Sequence, residues 1–245
     1  MILLDGKKTS IDIKAEIRKE VDELVSRGVK KPHLAAILVG SNGASETYVG
    51  AKVKACEQVG FDSTLVRFNE DISELDLLNE INKINNNQNI DGLIVQLPLP
   101  NHIDELKVTQ AINVEKDVDG FHPTNIGRMA LNLPTYLPAT PPGIMELLSR
   151  YNIKTSGKHC VVVGRSHIVG SPMSILMARN NIPGNCTVTL THSRTKNLKE
   201  ITRTADILIV ALGKAQFINS EMIKDGACII DVGINRVKSE KTKSG

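Results

Sequence analysis

The sequence predicts two α/β domains in tandem, each built on a parallel β-sheet that helices cover on both faces. Short runs of Val, Ile and Leu alternate with segments of helical periodicity, and this alternation occurs twice, on either side of a proline-rich stretch. Continuous apolar runs between helices are typical of parallel strands that are buried on both faces. The length of 245 residues leaves room for two domains of ordinary size.

The first half of the chain begins with apolar residues at helical spacing between Ile13 and Val25, which predict an amphipathic helix that ends near Gly28. The elements predicted after it follow in chain order: a strand over residues 34–40, a helix over 48–59, the strand STLVRF, a helix that contains Leu75, Leu78, Ile81 and Ile84, and a buried strand over 92–100 that ends at its prolines. Strands and helices alternate here as they do in βαβ units.

The composition changes between the two halves. Residues 117–142 include five prolines and two glycines, which predict a loop-rich crossing with one short helix. We therefore place the domain boundary at about Pro138, with a first domain over residues 1–137 and a second over 138–245. The second domain repeats the alternation, with helices between the strands HCVVVG, CTVTLTH, DILIVALG and ACIIDVG.

Composition and charge limit the kinds of partner that the protein can bind and the compartments in which it can be located. The net charge is +3, aromatic residues are 3% of the chain, and no basic block is interleaved with aromatics, so a nucleic-acid surface is not supported. No segment could span a bilayer, and the N-terminus lacks the apolar core of a signal peptide. Cys160, Cys186 and Cys228 lie in apolar runs, as buried reduced thiols do. We expect a cytoplasmic protein without a bound metal.

A glycine turn opens the second domain. The strand HCVVVG is followed by GRSHIVG over residues 164–170 and then by the helix SPMSILMAR. Such a turn brings backbone N–H groups and the positive end of a helix against a pyrophosphate, which predicts a Rossmann-like dinucleotide-binding domain. Ser166 replaces the middle glycine of the usual G-x-G-x-x-G pattern, so an ordinary strand-to-helix turn is the alternative.

The end of the next strand indicates which dinucleotide is bound. The segment Thr191 to Thr195 offers hydroxyls and the guanidinium of Arg194, with no carboxylate to hold a ribose 2′-hydroxyl. Together with Arg165 on the glycine turn, these donors suit a 2′-phosphate and favour NADP over NAD. A solvated polar loop is the alternative interpretation.

Candidate catalytic groups lie in the first domain. Tyr48 and Lys52 are one helical turn apart and share a face, where a lysine in a partly dry cleft can act as acid or base, unless it is simply exposed. Gln96 ends an apolar strand, where a buried amide needs partners. Asp117 and Asp119 in DVDG suit the N–H edge of a heterocycle, although either could cap a turn.

These motifs occur together and in one order along nearly the whole chain. The segments ASETYVGAKVKA, VQLPLP, EKDVDGFHPTNIGR, TPPG, VVVGRSHIVGSPM, HSRTKNL and DVGIN closely resemble the bifunctional methylenetetrahydrofolate dehydrogenase/methenyltetrahydrofolate cyclohydrolase family. The resemblance implies NADP-dependent oxidation of 5,10-methylenetetrahydrofolate to the methenyl cation, and its hydrolysis to 10-formyltetrahydrofolate in one-carbon metabolism. It also implies a cleft between the two domains and a homodimer paired through the dinucleotide-binding domains.

The resemblance assigns roles to individual positions. Lys52 matches the family's acid/base lysine, Tyr48 the tyrosine that orients the folate, and Gln96 the glutamine that supports the lysine. Asp119 matches the carboxylate that holds the pterin, which leaves Asp117 as a turn residue. The positions expected to line the cofactor are Gly164, Arg165, Ser166, Ser193 and Ile234.

Two departures from the family pattern are visible, and two rival interpretations remain. Ala139 stands where the family has a cysteine near the cleft, and the sequence ends at VKSEKTKSG, before the family's proline- and glycine-rich loop and its last helix. One rival is a short-chain reductase, in which a Tyr–Lys pair follows the glycine turn within a single dinucleotide-binding domain. The other is a catalytically inactive binding protein of the same fold.

Overall fold

The computed structural model describes residues 1–234. The chain forms two compact units, Met1–Leu137 and Pro138–Gly245, and each has its own parallel sheet. Residues 235–245, the end of the predicted second domain, lie outside the described residues.

The first unit contains three strands and five helices within its described residues. In chain order these are α1 (Gly6–Ser26), β1 (His33–Val39), α2 (Gly43–Val59), β2 (Asp62–Phe68), α3 (Glu74–Asn86), β3 (Gly92–Val95), α4 (Glu105–Ala111) and α5 (Pro123–Ala130). The strand order is β2-β1-β3 and both pairings are parallel. The strand β1 is therefore central, with β2 on one side of it and β3 on the other.

The two faces of this sheet bury different side chains of β1, because successive residues of a strand point to opposite faces. On one face Ala35, Ile37 and Val39 pack with the buried side of α3 and with residues of β3 and α4. On the other face Ala36 and Leu38 pack with Val49 of α2. The helix α2 therefore covers one face of the sheet and α3 covers the other, as expected for a doubly wound unit.

The second unit repeats this arrangement with four strands. Its elements are α6 (Thr140–Arg150), β4 (His159–Val163), α7 (Gly170–Ala178), β5 (Thr187–Thr191), α8 (Leu198–Thr202), β6 (Ile207–Val210), a 3-10 turn at Ser220–Met222 and β7 (Cys228–Asp231). All pairs are parallel and the order is β5-β4-β6-β7. The change of direction beside β4 creates a crevice at the carboxyl end of the sheet, where ligands of such folds bind.

The mixed α/β fold class predicted from the sequence is confirmed, but some element bounds are different. The strand predicted over 92–100 ends at Val95, because Pro98 and Pro100 have no N–H to donate to a ladder. The helix α2 begins at Gly43 and not at 48, since the Asn42 side chain accepts from two backbone N–H groups of its first turn. The helices α4 and α6 were not predicted.

The prediction of a helix between β6 and β7 is wrong. This segment forms a single 3-10 turn, Ser220–Met222, which Asn219 caps through its side chain. Gln216, four residues earlier, has φ +55° and so lies in the left-handed region, which a helix does not continue through.

Three further predictions concern membrane spans, metal sites and the state of the cysteines. Among residues 1–234, no helix is both long and apolar enough to cross a membrane. The same residues contain no cluster of three or more His, Cys, Asp or Glu side chains that could hold a metal ion. The four cysteines are free thiols, and burial raises the pKa of Cys160 well above its ordinary value.

A pair of leucines on α3 tests the packing of the first unit. Leu77 is completely buried in the core and Leu75, two residues earlier, is 66% exposed. We expect Leu77→Ala to lower the free energy of unfolding by about 2–5 kcal/mol, through lost burial and the cavity that it leaves. The control Leu75→Ala should change it by about 0.5 kcal/mol or less. Urea unfolding measures both variants, and equal losses would contradict the assignment of α3's buried face.

Candidate active site

The helix α2 presents the first group of the candidate site. Asn42 caps its first turn by accepting from Ala44 N at 3.0 Å and Ser45 N at 3.2 Å. Val49 is fully buried against the sheet, and this contact fixes the rotation of the helix. Lys52 lies three residues after Val49 and is therefore directed along the edge of the buried face.

Lys52 contacts two acceptors from other parts of the first unit. Its Nζ lies 3.5 Å from Oε1 of Gln96 and 3.5 Å from Oδ2 of Asp119. Both distances are at the long end for hydrogen bonds, so the ammonium is held loosely between an amide and a carboxylate. The side chains of Lys52 and Asp119 are 31% and 19% exposed, so the cluster is partly shielded from water.

Gln96 is oriented by its own neighbours. Its backbone N–H donates to Ile37 O at 2.9 Å, which extends the β1–β3 ladder by one residue beyond Val95. Its side-chain Nε2 donates to Leu97 O at 2.7 Å. Because the amide nitrogen is engaged in this way, the amide oxygen faces Lys52.

Asp119 lies in a turn that is attached to the end of the sheet. Leu93 N of β3 donates to Lys116 O at 2.7 Å, and Gly120 N donates to Asp117 O at 3.1 Å. Gly120 has φ +68°, a left-handed conformation that glycine adopts without strain. Burial raises the pKa of Asp119; Lys52 opposes that rise, and the nearby Asp117 adds to it.

Lys52, Gln96 and Asp119 are thus brought together from a helix, a strand end and a turn. Tyr48 lies one turn before Lys52 on α2 and its side chain is 44% exposed. Within the described residues, its hydroxyl makes no hydrogen bond to the other three. Tyr48 and Lys52 both lie within α2, as the prediction that they share a helix face requires.

Sequence reasoning missed a buried polar cluster behind this turn. Asp117 closes the turn, as expected of a turn residue, but its carboxylate is also buried and accepts from His122 N and Asn125 Nδ2, each at 2.8 Å. Thr135 Oγ1 donates to Asn125 Oδ1 at 2.6 Å. A signal was available, since Asn125 lies one helical turn before the buried Met129 on α5, at a position where a polar side chain needs partners.

The predicted dinucleotide turn joins β4 to α7 in the second unit. Gly164 has φ +114°, and a Cβ there would overlap the carbonyl oxygen of Ala211. A Cβ on Gly170 would overlap the carbonyl oxygen of Gly164, so the start of α7 lies directly against the turn. The Ser166 hydroxyl accepts from Val169 N at 3.1 Å and from Gly170 N at 3.4 Å, at the start of α7.

The other predicted cofactor residues lie at the same end of this sheet. Val163 and Thr191 pair in register, so Arg165 and Ser193, each two residues further on, extend from neighbouring strand ends. Both are exposed, and so is Ile234, which follows β7. His192 N and Arg194 N donate within the loop, to Thr195 Oγ1 and His192 Nδ1 respectively.

The second unit fits a dinucleotide phosphate. Two glycines let the turn pack directly against the Ala211 carbonyl and the start of α7, which gives the tight strand-to-helix turn that is typical of pyrophosphate sites. The exposed cations Arg165 and Arg194 and the hydroxyl of Ser193 are donors, and no carboxylate follows β5 before Asn197. The fold, the lysine cluster and this turn define a dinucleotide-dependent α/β enzyme.

Comparison with known proteins gives the family. The sequence profile of the tetrahydrofolate dehydrogenase/cyclohydrolase catalytic domain matches residues 4–119, and that of the family's NAD(P)-binding domain matches residues 138–245. The chain belongs to the tetrahydrofolate dehydrogenase/cyclohydrolase family. A short-chain reductase is excluded, because Tyr48 and Lys52 lie in a different unit from the glycine turn.

Relatives and solved structures agree with this assignment. The bifunctional protein FolD of Cytophaga hutchinsonii is 66% identical over all of this chain, which spans 84% of that relative, and the FolD of Flavobacterium johnsoniae is 61% identical, with 83% spanned. The crystal structure of the FolD methylenetetrahydrofolate dehydrogenase/cyclohydrolase of Campylobacter jejuni matches with a TM-score of 0.93 and 45% identity, over 98% of this chain and 84% of that one. A Trypanosoma brucei dehydrogenase-cyclohydrolase, complexed with NADP cofactor and an inhibitor, matches with a TM-score of 0.92 and 33% identity, over 98% and 82%.

Two glycines that both lie in helices test the close approach at the dinucleotide turn. Gly170→Ala should lower the free energy of unfolding by about 1–3 kcal/mol, because the new methyl group overlaps the Gly164 carbonyl. Gly143→Ala in α6 meets nothing within 4 Å and should raise stability by about 0.5–1 kcal/mol. Thermal unfolding of the two variants measures the difference. A Gly170→Ala protein as stable as Gly143→Ala would show that the turn does not require this contact.

Proposed function

We propose that this chain oxidises 5,10-methylenetetrahydrofolate to 5,10-methenyltetrahydrofolate with NADP+ and then hydrolyses the product to 10-formyltetrahydrofolate. The observation that supports this most directly is the contact of Lys52 with Gln96 and Asp119, which joins an acid/base group to a carboxylate in the unit that matches the family's catalytic domain. Within this proposal, residues 1–137 bind folate and contain the catalytic groups, and residues 138–245 bind NADP.

Lys52 is the proposed acid/base group. Hydrolysis of the methenyl cation requires water to add to its one-carbon bridge while a nearby base accepts a proton from it; the bond from that carbon to N5 then breaks as N5 takes up a proton, and the formyl group stays on N10. In its neutral amine form Lys52 is the proposed base that accepts this proton, and Gln96 Oε1, 3.5 Å from Nζ, supports its direction into the cluster. Tyr48, exposed on the same helix face, offers an aromatic surface that orients the folate beside Lys52.

Asp119 is the proposed holder of the pterin. A carboxylate can accept two parallel N–H donors from the edge of a heterocycle, which provides orientation as well as binding energy. Its partial burial strengthens such hydrogen bonds, because water competes less there. The grip at Asp119 would place the one-carbon bridge relative to Lys52.

NADP would be held by the second unit. When bound, NADP+ supplies the acceptor for the hydride that leaves the methylene carbon. Gly164 and Ser166 at the start of α7 would face the pyrophosphate, and Ile234 would lie against the cofactor. Arg165 and Ser193, which extend from neighbouring strand ends, would donate to the 2′-phosphate.

The remaining expectations concern assembly and location. We propose a homodimer paired through the second domain, whose outermost strands among the described residues each expose one apolar side chain, Leu190 on β5 and Ile229 on β7. A cytoplasmic location is supported by four cysteines that are all free thiols. The absence of a basic surface interleaved with aromatic residues supports small-molecule substrates and no nucleic-acid partner.

Substitution of Lys52 tests the catalytic assignment. Lys52→Met retains the length of the side chain but cannot transfer a proton, so we expect cyclohydrolase activity to fall by about 10²–10⁴-fold. The matched control is Lys54→Met, because Lys54 is an exposed lysine of the same helix. Hydrolysis is followed by the loss of the near-ultraviolet absorbance of methenyltetrahydrofolate. A Lys52→Met protein that hydrolyses at the rate of the unmutated enzyme would exclude Lys52 as the catalyst.

Cofactor preference tests the phosphate-binding assignment. The unmutated protein should bind NADP+ more tightly than NAD+, and the double variant Arg165→Ala/Ser193→Ala should lose about 1.5–3 kcal/mol of NADP+ binding per charge-assisted hydrogen bond. Its affinity for NAD+ should stay unchanged, since NAD+ has no 2′-phosphate. Arg203→Ala removes an exposed arginine next to α8 and serves as the control. Equal affinities of the unmutated protein for the two dinucleotides in a titration would show that the assignment is wrong.

A further inference from the structure

We propose that Asp117, Asn125 and Thr135 form a positioning network that holds Asp119 in place for the substrate. This inference rests on the proposed function, because it takes Asp119 as the group that grips the pterin. Among the described residues, none of these three side chains forms a hydrogen bond with Lys52 or Gln96.

The Asp117 carboxylate closes the loop of residues 117–122, which contains Asp119. Its Oδ2 accepts from the backbone N–H of His122 at 2.8 Å, so the side chain at one end of residues 117–122 is bonded to the backbone at the other end. Inside this loop, Gly120 N donates to Asp117 O at 3.1 Å. Asp119 therefore lies between two points that the same residue fixes, and its freedom to move is small.

Asn125 joins this loop to helix α5. Its Nδ2 donates to Asp117 Oδ2 at 2.8 Å and to Val114 O at 3.1 Å, so a single amide nitrogen uses both of its hydrogens on the segment that leads into the turn. Asn125 and Asp117 are each only 1% exposed, and water is therefore not available as a substitute partner.

Thr135 completes the hydrogen bonds of the Asn125 amide. Its hydroxyl donates to Asn125 Oδ1 at 2.6 Å. Asp117 Oδ2 and Val114 O can only accept, so they hold the amide nitrogen toward themselves, and the Thr135 hydroxyl satisfies the amide oxygen on the other side. If the hydroxyl is removed, the buried amide oxygen loses its partner, and the side chain shifts toward another donor, which weakens the bond to Asp117. The loop after α5 thus acts on Asp119 through two intermediate side chains.

The network also acts on Asp119 through charge. Burial is the main reason that the pKa of Asp119 lies above its ordinary value, Lys52 of α2 lowers it, and Asp117 raises it. Among the described residues, the charges of Lys52 and Asp117 act on Asp119, and Lys52 is in direct contact with it. Asp117→Asn retains an oxygen that can accept from His122 and Asn125, and it removes the charge, so it separates the electrostatic effect from the geometric one.

The decisive variant is Thr135→Val, which removes the hydroxyl and conserves the shape of the side chain. We expect kcat/KM for methylenetetrahydrofolate and for methenyltetrahydrofolate to fall together by about 10- to 100-fold, since an Ångström-scale displacement of a positioning group has effects of this size. Most of the loss should appear in the folate KM, and the NADP+ dissociation constant should not change. Thr135→Ser restores the hydroxyl and should restore both activities.

Thr9→Val is the matched control, because the buried Thr9 hydroxyl donates to the backbone oxygen of Asp5, the N-cap of α1, and has no hydrogen bond to the turn. It should lose stability as Thr135→Val does and retain normal kinetics. Equal kinetic losses in the two variants, or failure of Thr135→Ser to restore activity, would overturn the proposal, because either would indicate general destabilisation.

Asp117→Asn gives a second, independent readout. Substrate binding through the carboxylate form of Asp119 is lost as the pH falls through the pKa of Asp119. Removing the Asp117 charge lowers that pKa, so the acidic limb of the folate kcat/KM profile should move to lower pH in Asp117→Asn and stay in place in Thr135→Val. An unmoved limb in Asp117→Asn would contradict the electrostatic coupling.

Asp119→Ala separates this inference from the proposed function. It should weaken both activities and folate binding, with NADP+ affinity nearly unchanged. A fully active Asp119→Ala protein would overturn the role of Asp119 itself. An inactive Asp119→Ala protein, together with unmutated kinetics in Thr135→Val, would overturn the positioning network alone.

Discussion

The parallel pairing of β1 with β3 is the constraint on which the candidate active site depends. The chain leaves β1 to form α2, which contains Lys52, and leaves β3 at Gln96, so both groups emerge at the same end of the sheet. The ladder reaches one residue beyond β3, through Gln96 N and Ile37 O, and it therefore fixes the backbone that presents the amide. The turn with Asp119 is attached to the other side of β3 through Leu93 and Lys116.

Within that frame, the chemistry depends on a balance of charge at Asp119. Burial favours the neutral acid, and the neighbouring Lys52 ammonium favours the carboxylate. Neither influence is extreme, because the Lys52–Asp119 distance is 3.5 Å and the two side chains are 31% and 19% exposed. A loosely held ion pair leaves the lysine free to interact with a substrate, whereas a short, fully buried pair would hold both groups against each other.

The glycine turn of the second unit depends on close contacts between backbone atoms more than on contacts between side chains. The contact between the start of α7 and the Gly164 carbonyl is possible only because Gly170 has no Cβ, and the close approach of Gly164 to the Ala211 carbonyl requires that Gly164 has none either. Ser166 occupies the middle of the motif, and its hydroxyl accepts from Val169 N and Gly170 N at the start of α7, so the departure from the G-x-G-x-x-G pattern has a structural explanation. The polar loop after β5 lies beside this turn, since β4 and β5 are neighbours in the sheet.

Local sequence determined much of this protein. Apolar runs and helical spacing were sufficient to predict the alternating α/β order, because burial on both faces requires such patterns. They also predicted that Tyr48 and Lys52 share a helix face, since that relation depends only on helix geometry. Strand ends were predicted less well, as the short β3 shows, because a ladder ends where its partner strand and its prolines allow.

The tertiary structure alone decided which polar groups meet. Lys52 and Gln96 are 44 positions apart in the sequence, and no periodicity connects them; the sheet brings them to 3.5 Å. Asp117 was interpreted as a turn residue because its neighbours in sequence form a turn. Its burial and its bond to Asn125 depend on where α5 packs, and Thr135 reaches Asn125 only in the folded unit. Sequence patterns report which face of an element is buried, whereas hydrogen-bond partners across elements depend on distances that only the packed chain defines.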